Sequence, residues 1–160
     1  MRALRNLALA TTALLLVGAA PAPDVYGEAD FARVRKLDAH VHANVADPAF
    51  VRLAATDGFE LLSINVDYPD FPPIAEQARI AYAMHAADPK RFHFATTFSM
   101  DGFGAPGWAA RAEKQIDAGL ARGAVAVKVW KNIGMVAKDA AGKRVFLDDP
   151  RFDPVIAQLE

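Results

Sequence analysis

From Val34 onward the chain alternates between two hydrophobic rhythms, one of period two and one of period three to four. "VRKLDAHVH" (34–42) alternates apolar and polar positions as a strand with one face on a core does. "PAFVRLAATDG" (48–58) reads as a short helix stopped by Gly58. "FELLSINVD" (59–67) predicts a second strand, and "PPIAEQARIAYAMHAADP" (72–89) a helix with Ile74, Ala78, Ala81 and His85 along one stripe. "RFHFATTFS" (91–99), rich in aromatic and β-branched residues, predicts a third strand. "PGWAARAEKQIDAGLARG" (106–123) repeats Trp108, Ala112, Ile116 and Leu120 every four residues and stops at Gly123; "AVAVKVW" (124–130) is a fourth strand.

Strands alternating with helices in this way form βα units, hence an α/β fold with a parallel sheet under covering helices. Residues 131–150 break the rhythm: "MVAKDAAGKRVFL" reads as a hairpin turning at Asp139–Gly142. "DDPRFDPVIAQLE" then starts a further helix, with Asp153 as N-cap and Pro154 at the first helical position.

Strand parity brings in the chemistry. In the first strand Asp38, His40 and His42 fall on one face and Leu37, Ala39 and Val41 on the other. The apolar face is expected against helices, which turns the polar triplet into whatever the strand lines. Two neutral imidazoles two positions apart suit a chelate on a divalent ion such as zinc. Histidines satisfied by neighbouring polar groups are the alternative, and Asp38 on the same face favours the metal. In the fourth strand Val125, Val127 and Val129 are expected on the helices, so Lys128 and Trp130 point inward; a lysine there must be paired, deprotonated or modified, or else snorkel to the strand end. Lys131 is the competing lysine and reads as a loop residue. In the second strand Ser63, Asn65 and Asp67 share a face opposite Leu62, Ile64 and Val66, which aims Asn65 and Asp67 at the same pocket; Asp67 alternatively just opens the loop "YPDFPP". His85 and His93 read as structural. "GFGAPG" (102–107) matches a dinucleotide-binding pattern, but Pro106 interrupts it and the next strand offers no acid for a ribose.

Composition narrows the classes. The chain has 160 residues, 18 basic against 19 acidic, and no basic patch, which removes the electrostatic footprint of a nucleic-acid binder. It has no cysteine, so thiolate metal sites and cysteine nucleophiles are excluded, and any metal must take nitrogen and oxygen ligands. The start differs in kind: basic "MRALRN", apolar "LALATTALLLVGAA", then small residues before Pro21 and Pro23. Residues 1–22 are read as a signal peptide, too short and wrongly flanked for a stable span, and residues 23–33 as a lead-in. The expected location is periplasmic or secreted, with no membrane association after cleavage.

Together, "LDAHVHAN" in the first strand, "AVAVKVWKNIGM" in the fourth and "DDPRFDPVIAQLE" after it resemble the amidohydrolase superfamily in its amidohydrolase-2 branch. The resemblance covers residues 34–160 and implies a metal-dependent (β/α)8 TIM barrel of which only the first four or so βα units are present, the N-terminal half. It further implies that His40 and His42 are metal ligands supported by Asp38, and that Lys128 lies near where binuclear members carry a carbamylated bridging lysine. Asn65, Asp67 and Trp130 are then candidates for supporting the metal or touching substrate. The implied activity is hydrolysis of a C–N or C–O bond of a small molecule through a metal-activated water, with a divalent ion, zinc in the first instance. Metal-dependent non-oxidative decarboxylation, or a non-catalytic fragment, are the alternatives. The family's later histidines and its aspartate have no counterpart here. Four βα units alone are therefore expected to show no turnover and to pair with a second copy, as a homo-oligomer, or aggregate.

Overall fold

A computed structural model describes residues 25–159. The signal-peptide segment 1–22 and the first two residues of the lead-in lie outside them. The chain divides between Ala32 and Arg33. Of the first unit, residues 25–32 hold one element, a 3-10 turn at Glu28–Asp30 closed by the Gly27 N–H donating to the Asp30 carboxylate at 2.9 Å.

The second unit carries four strands and their helices in alternation: β1 (Lys36–Val41), α1 (Ala49–Thr56), β2 (Phe59–Ile64), α2 (Ile74–Ala87), β3 (Phe92–Thr96), α3 (Trp108–Leu120) and β4 (Ala126–Val127). A single interrupted turn, α4 (Asn132–Met135), and the short α5 (Asp153–Ala157) follow. All strand pairs are parallel and the order in the sheet is β1-β2-β3-β4, so each helix is a crossover between neighbouring strands. The protein is α/β, with a four-stranded parallel sheet curled into half a barrel.

Two apolar clusters fix the helices on the sheet. Leu61, Phe92 and Phe94 meet Val51 of α1 and Ile80, Ala81 and Met84 of α2. Trp108, Ala112 and Ile116 of α3 pack with Phe98, Val145, Phe152 and Val155, and Val127 and Val129 lie against them. Each fully buried large side chain contributes roughly 1.5–3 kcal/mol relative to exposure, so Phe92, Phe94 and Ile116 dominate this side of the sheet.

Several helical details depart from the expected stripes. In α2 the buried positions are Gln77, Ile80, Ala81 and Met84: of the expected row Ala81 is buried, while Ile74, Ala78 and His85 are not among them. In α3 the stripe Trp108, Ala112, Ile116 is buried but ends on Gly119, while Leu120 is 43% exposed. A strict four-residue step drifts around a helix of 3.6 residues per turn, and the three-residue step to Gly119 brings the stripe back to the sheet. β4 is shorter than the expected 124–130, although its pairing runs on through the Val125 N–H to Phe94 O at 3.0 Å and the Lys128 N–H to Thr96 O at 2.7 Å. The hairpin is reduced to one antiparallel bridge, Lys138–Arg144, around the Asp139–Gly142 turn with Gly142 at φ +77°. The last helix starts earlier than expected: Asp149, not Asp153, is the cap, its carboxylate accepting the Arg151 N–H at 3.0 Å, and the 3-10 turn Pro150–Phe152 runs straight into α5. Both Asp-Pro pairs fit the N-cap rule, and the first in the chain takes it. Among the described residues no helix is long and apolar enough to cross a membrane.

Candidate functional site

Residues paired across parallel strands share a face, so the register fixes which side chains look away from the helices. Ser63 pairs with Phe94, and Ile64 with Ala95; Ala95 in turn pairs with Ala126, and Thr96 with Val127. Phe94 and Val127 belong to the helix-side clusters. Ile64, Ala95 and Ala126 therefore mark the inner face, and Ile64, Val66 and Ala95 form a third cluster there with Tyr68, Phe71 and Trp130. This reverses the expected phase of the second strand. Ser63 and Asn65 take the helix-side parity and Ile64 and Val66 the inner one. Apolar alternation alone is symmetric here, because both faces of β2 are buried, and such a strand carries no period-two contrast to read.

β1 has a second surprise. Asp38 pairs with Leu61 on the helix side, yet Val41, three residues later, pairs with Ser63, only two residues on. One extra residue is accommodated between them as a β-bulge, which changes the phase of the strand. Asp38 is thereby separated from His40 and His42, with which it was expected to share a face. Its carboxylate instead accepts the His40 backbone N–H at 3.1 Å, an aspartate turn of i to i+2 type that satisfies the donor freed by the bulge. Asp38 supports the histidine pair through the backbone and not through a ring nitrogen.

The two histidines do end together. Their ring centroids are 5.2 Å apart at 73°. His40 is exposed and His42 half-buried. His42 Nδ1 lies 2.8 Å from the Ile64 carbonyl oxygen. A carbonyl only accepts, so this bond puts a proton on Nδ1 and selects the tautomer in which Nε2 is the ring nitrogen left to act as a ligand. Directly after it, the Ala43 N–H donates to Ser63 Oγ at 3.0 Å, stitching the end of β1 to β2. Phe71 packs on His42 at 4.6 Å between centroids and Trp130 at 6.1 Å.

Of the other expected site residues, Trp130 joins this group and Lys128 reaches it at one remove: Lys128 Nζ is 5.6 Å from the Trp130 ring centroid. The backbone of Lys128 is held by Thr97, whose hydroxyl donates to its carbonyl at 2.8 Å. Asp67 is committed elsewhere: its carboxylate accepts the Met100 N–H at 2.7 Å and so ties the end of β2 to the end of β3. Asn65 is 3% exposed, with its backbone N–H on Ala95 O at 3.1 Å and its side-chain nitrogen buried without an acceptor. Neither is brought to the histidines by its hydrogen bonds. Among the described residues no group of three or more His, Cys, Asp or Glu side chains is placed to hold a metal ion. The metal-ligating capacity in view is two imidazoles.

Three residues that build the site were not read from the sequence. Phe71 and Tyr68 come from the loop "YPDFPP", where no periodicity exists to assign them a face. Gln77, buried in α2, clamps that loop: its Oε1 accepts the Val66 N–H at 2.9 Å, and its Nε2 donates to Val66 O at 2.8 Å and Pro72 O at 2.6 Å. A lone amide at a position in the helical apolar phase, next to a loop with three prolines, was the available signal. Gln115 does the same at the next strand, accepting the Ser99 N–H at 2.9 Å, while Trp108 Nε1 donates to Ser99 O at 2.9 Å.

The remaining histidines lie apart. His85 Nδ1 bonds Phe92 O at 2.7 Å. His93 Nε2 meets Glu60 at 3.1 Å, and Arg35 Nη2 donates to the same carboxyl at 2.7 Å. The Arg35 guanidinium first, and His93 with it, hold the Glu60 carboxyl down at about 2. "GFGAPG" forms turns between β3 and α3, with Gly102, Gly104 and Gly107 at positive φ and Phe103 packed 4.7 Å from both Trp108 and Phe152. No family model matches the chain, and no curated protein or solved structure is significantly similar to it.

Proposed function

We propose that this chain is the first half of a (β/α)8 barrel and serves a metal-dependent hydrolase of the amidohydrolase kind, exported and acting on a small molecule. His40 and His42 at the C-terminal end of β1 are the metal ligands of that reading, and catalytic residues of such barrels gather at that end. One observation carries it: the His42 Nδ1–H bond to the Ile64 carbonyl. Metal-binding histidines characteristically anchor the far ring nitrogen on a carbonyl or carboxylate, which fixes the tautomer and aims the lone pair. His40 and His42 would hold a divalent ion, whose chemistry there would be to lower the pKa of a bound water and polarise the carbonyl to be cleaved. The chain's own contribution is to orient the two imidazoles. The bulge sets His40, Asp38 holds the bulge, and Phe71 with Trp130 keep the His42 ring from turning. Lys128, whose Nζ lies 5.6 Å from the Trp130 ring centroid, is a further ligand only in its neutral or carbamylated form.

Zinc takes four ligands and two are in view, so binding by the full 160-residue chain is expected to be weak and histidine-dependent. Calorimetry with zinc, and cobalt substitution followed by visible absorption, test this directly. The His40→Ala/His42→Ala double variant should lose the signal. Zinc binding that is unchanged in the double variant would remove the assignment.

A further inference from the structure

The glycines of "GFGAPG" take no part in the histidine site, yet they make room for a charge. A β-carbon at Gly102 would stand 3.1 Å from Arg111 Nη2, and one at Gly107 3.6 Å from Arg111 Nη1. The Arg111 guanidinium therefore lies along the turns that lead into α3. Gln115 follows four residues later, on the same face of the helix. These two side chains line a single cleft of about 280 Å³ together with Ser99, Asp101 and Trp108.

The loop side of the cleft is held in place before anything enters it. The Ser99 N–H donates to Gln115 Oε1 at 2.9 Å, and the Ser99 carbonyl accepts from Trp108 Nε1 at 2.9 Å. The Asp101 N–H in turn donates to Ser99 Oγ at 3.0 Å. Walls fixed in this way lose little freedom when a ligand arrives. The charges, by contrast, are unspent. Among the described residues neither Arg111 nor Asp101 forms an ion pair, and Gln115 Nε2 has no acceptor. A cation and an anion thus line the same cleft at more than ion-pair distance from each other.

That arrangement selects its ligand. A simple anion would pair with Arg111 and bring its charge toward the Asp101 carboxylate, and a simple amine would do the converse. A molecule with both charges gains at both ends. Clefts for drug-sized ligands run from roughly 300 to 1,000 Å³, so this one suits a molecule of few atoms. We propose that the cleft binds a small α-amino acid as its zwitterion, the carboxylate on Arg111 and Gln115 and the ammonium on Asp101. The site shares no residue with the His40–His42 group and does not rest on the metal reading.

The test titrates the full chain, in buffer with a chelator, with L-alanine, propionate and L-alaninamide, and follows backbone and side-chain amide resonances. The expected result is a saturable shift at Asp101, at the Gln115 side-chain amide and at the Trp108 indole N–H. Alanine should bind more tightly than propionate, which lacks the ammonium, and than alaninamide, which lacks the carboxylate. Both charged positions are exposed, so each substitution should have a modest effect. Asp101→Asn should weaken alanine about three- to fivefold and leave propionate no weaker; Arg111→Gln should weaken alanine by a similar factor and leave alaninamide no weaker. The Trp108 indole resonance of each variant without ligand, at its parent position, shows that Ser99 is still clamped and that the loss reports the missing charge. Propionate as tight as alanine would overturn the role of Asp101, and alaninamide as tight as alanine that of Arg111. Unchanged alanine affinity in both variants, or no saturable shift with alanine, would overturn the whole.

Discussion

Gly119→Ala sets two opposing terms against each other at the seam between α3 and the strands that carry Lys128. A β-carbon built at Gly119 stands 2.4 Å from Thr96 Cβ and Oγ1 and 2.7 Å from its Cγ2. Ordinary carbon contacts lie at 3.5–4.0 Å, so α3 and β3 must separate by about 1 Å. Rotation of Thr96 gives no escape, because its own Cβ is among the clashing atoms, and the residue is 3% exposed. Alanine gains at most about 1 kcal/mol of helix propensity over glycine. Overpacking of a close contact costs typically 1–3 kcal/mol and more where nothing can move. The clash should win, leaving a net loss of roughly 1–2 kcal/mol. Urea unfolding measures it as a lower midpoint at unchanged slope. Ala118→Gly, at an exposed position of the same helix, is the control and should cost about 1 kcal/mol through propensity alone. Because Lys128 N–H bonds Thr96 O, the Gly119→Ala variant should also shift the Lys128 amide resonance. A Gly119→Ala protein as stable as the parent, or more so, would refute the close packing of α3 on β3.

Two further outcomes follow from particular contacts. Glu60 titrates near 2 when folded because of Arg35 and His93, below its unfolded range, so its contribution is present above about pH 4.5 and is lost as pH falls through the folded value; Glu60→Gln should flatten the stability profile between pH 4.5 and 2, and an unchanged profile would mean the triad is not formed. Asp38→Asn keeps an oxygen acceptor for the His40 N–H and should bind zinc nearly as the parent does, whereas Asp38→Ala loses the bulge contact and should bind more weakly; equal loss in both, measured by zinc competition, would return Asp38 to a charge role.

The order of the elements was legible in the chain because the two hydrophobic periods differ and glycines at 58 and 123 punctuate them; both have positive φ, which suits that residue alone. The pairing of His40 with His42, and the presence of Trp130 on the inner side, were legible from spacing. Phase was not. A parallel strand buried on both sides shows no contrast between its faces, so only pairing with β3 put Ile64 inward and Asn65 toward the helices. The bulge that parts Asp38 from His40 depends on how β1 registers with β2, a relation between segments more than twenty residues apart that no local pattern encodes. The aromatic wall depends on the loop after β2 being folded back and held by Gln77. Local periodicity determined which segments are strands and helices, since it follows from the geometry of each element alone. Tertiary packing decided which side chains meet, because register, bulge and clamp are settled only when the strands lie against one another.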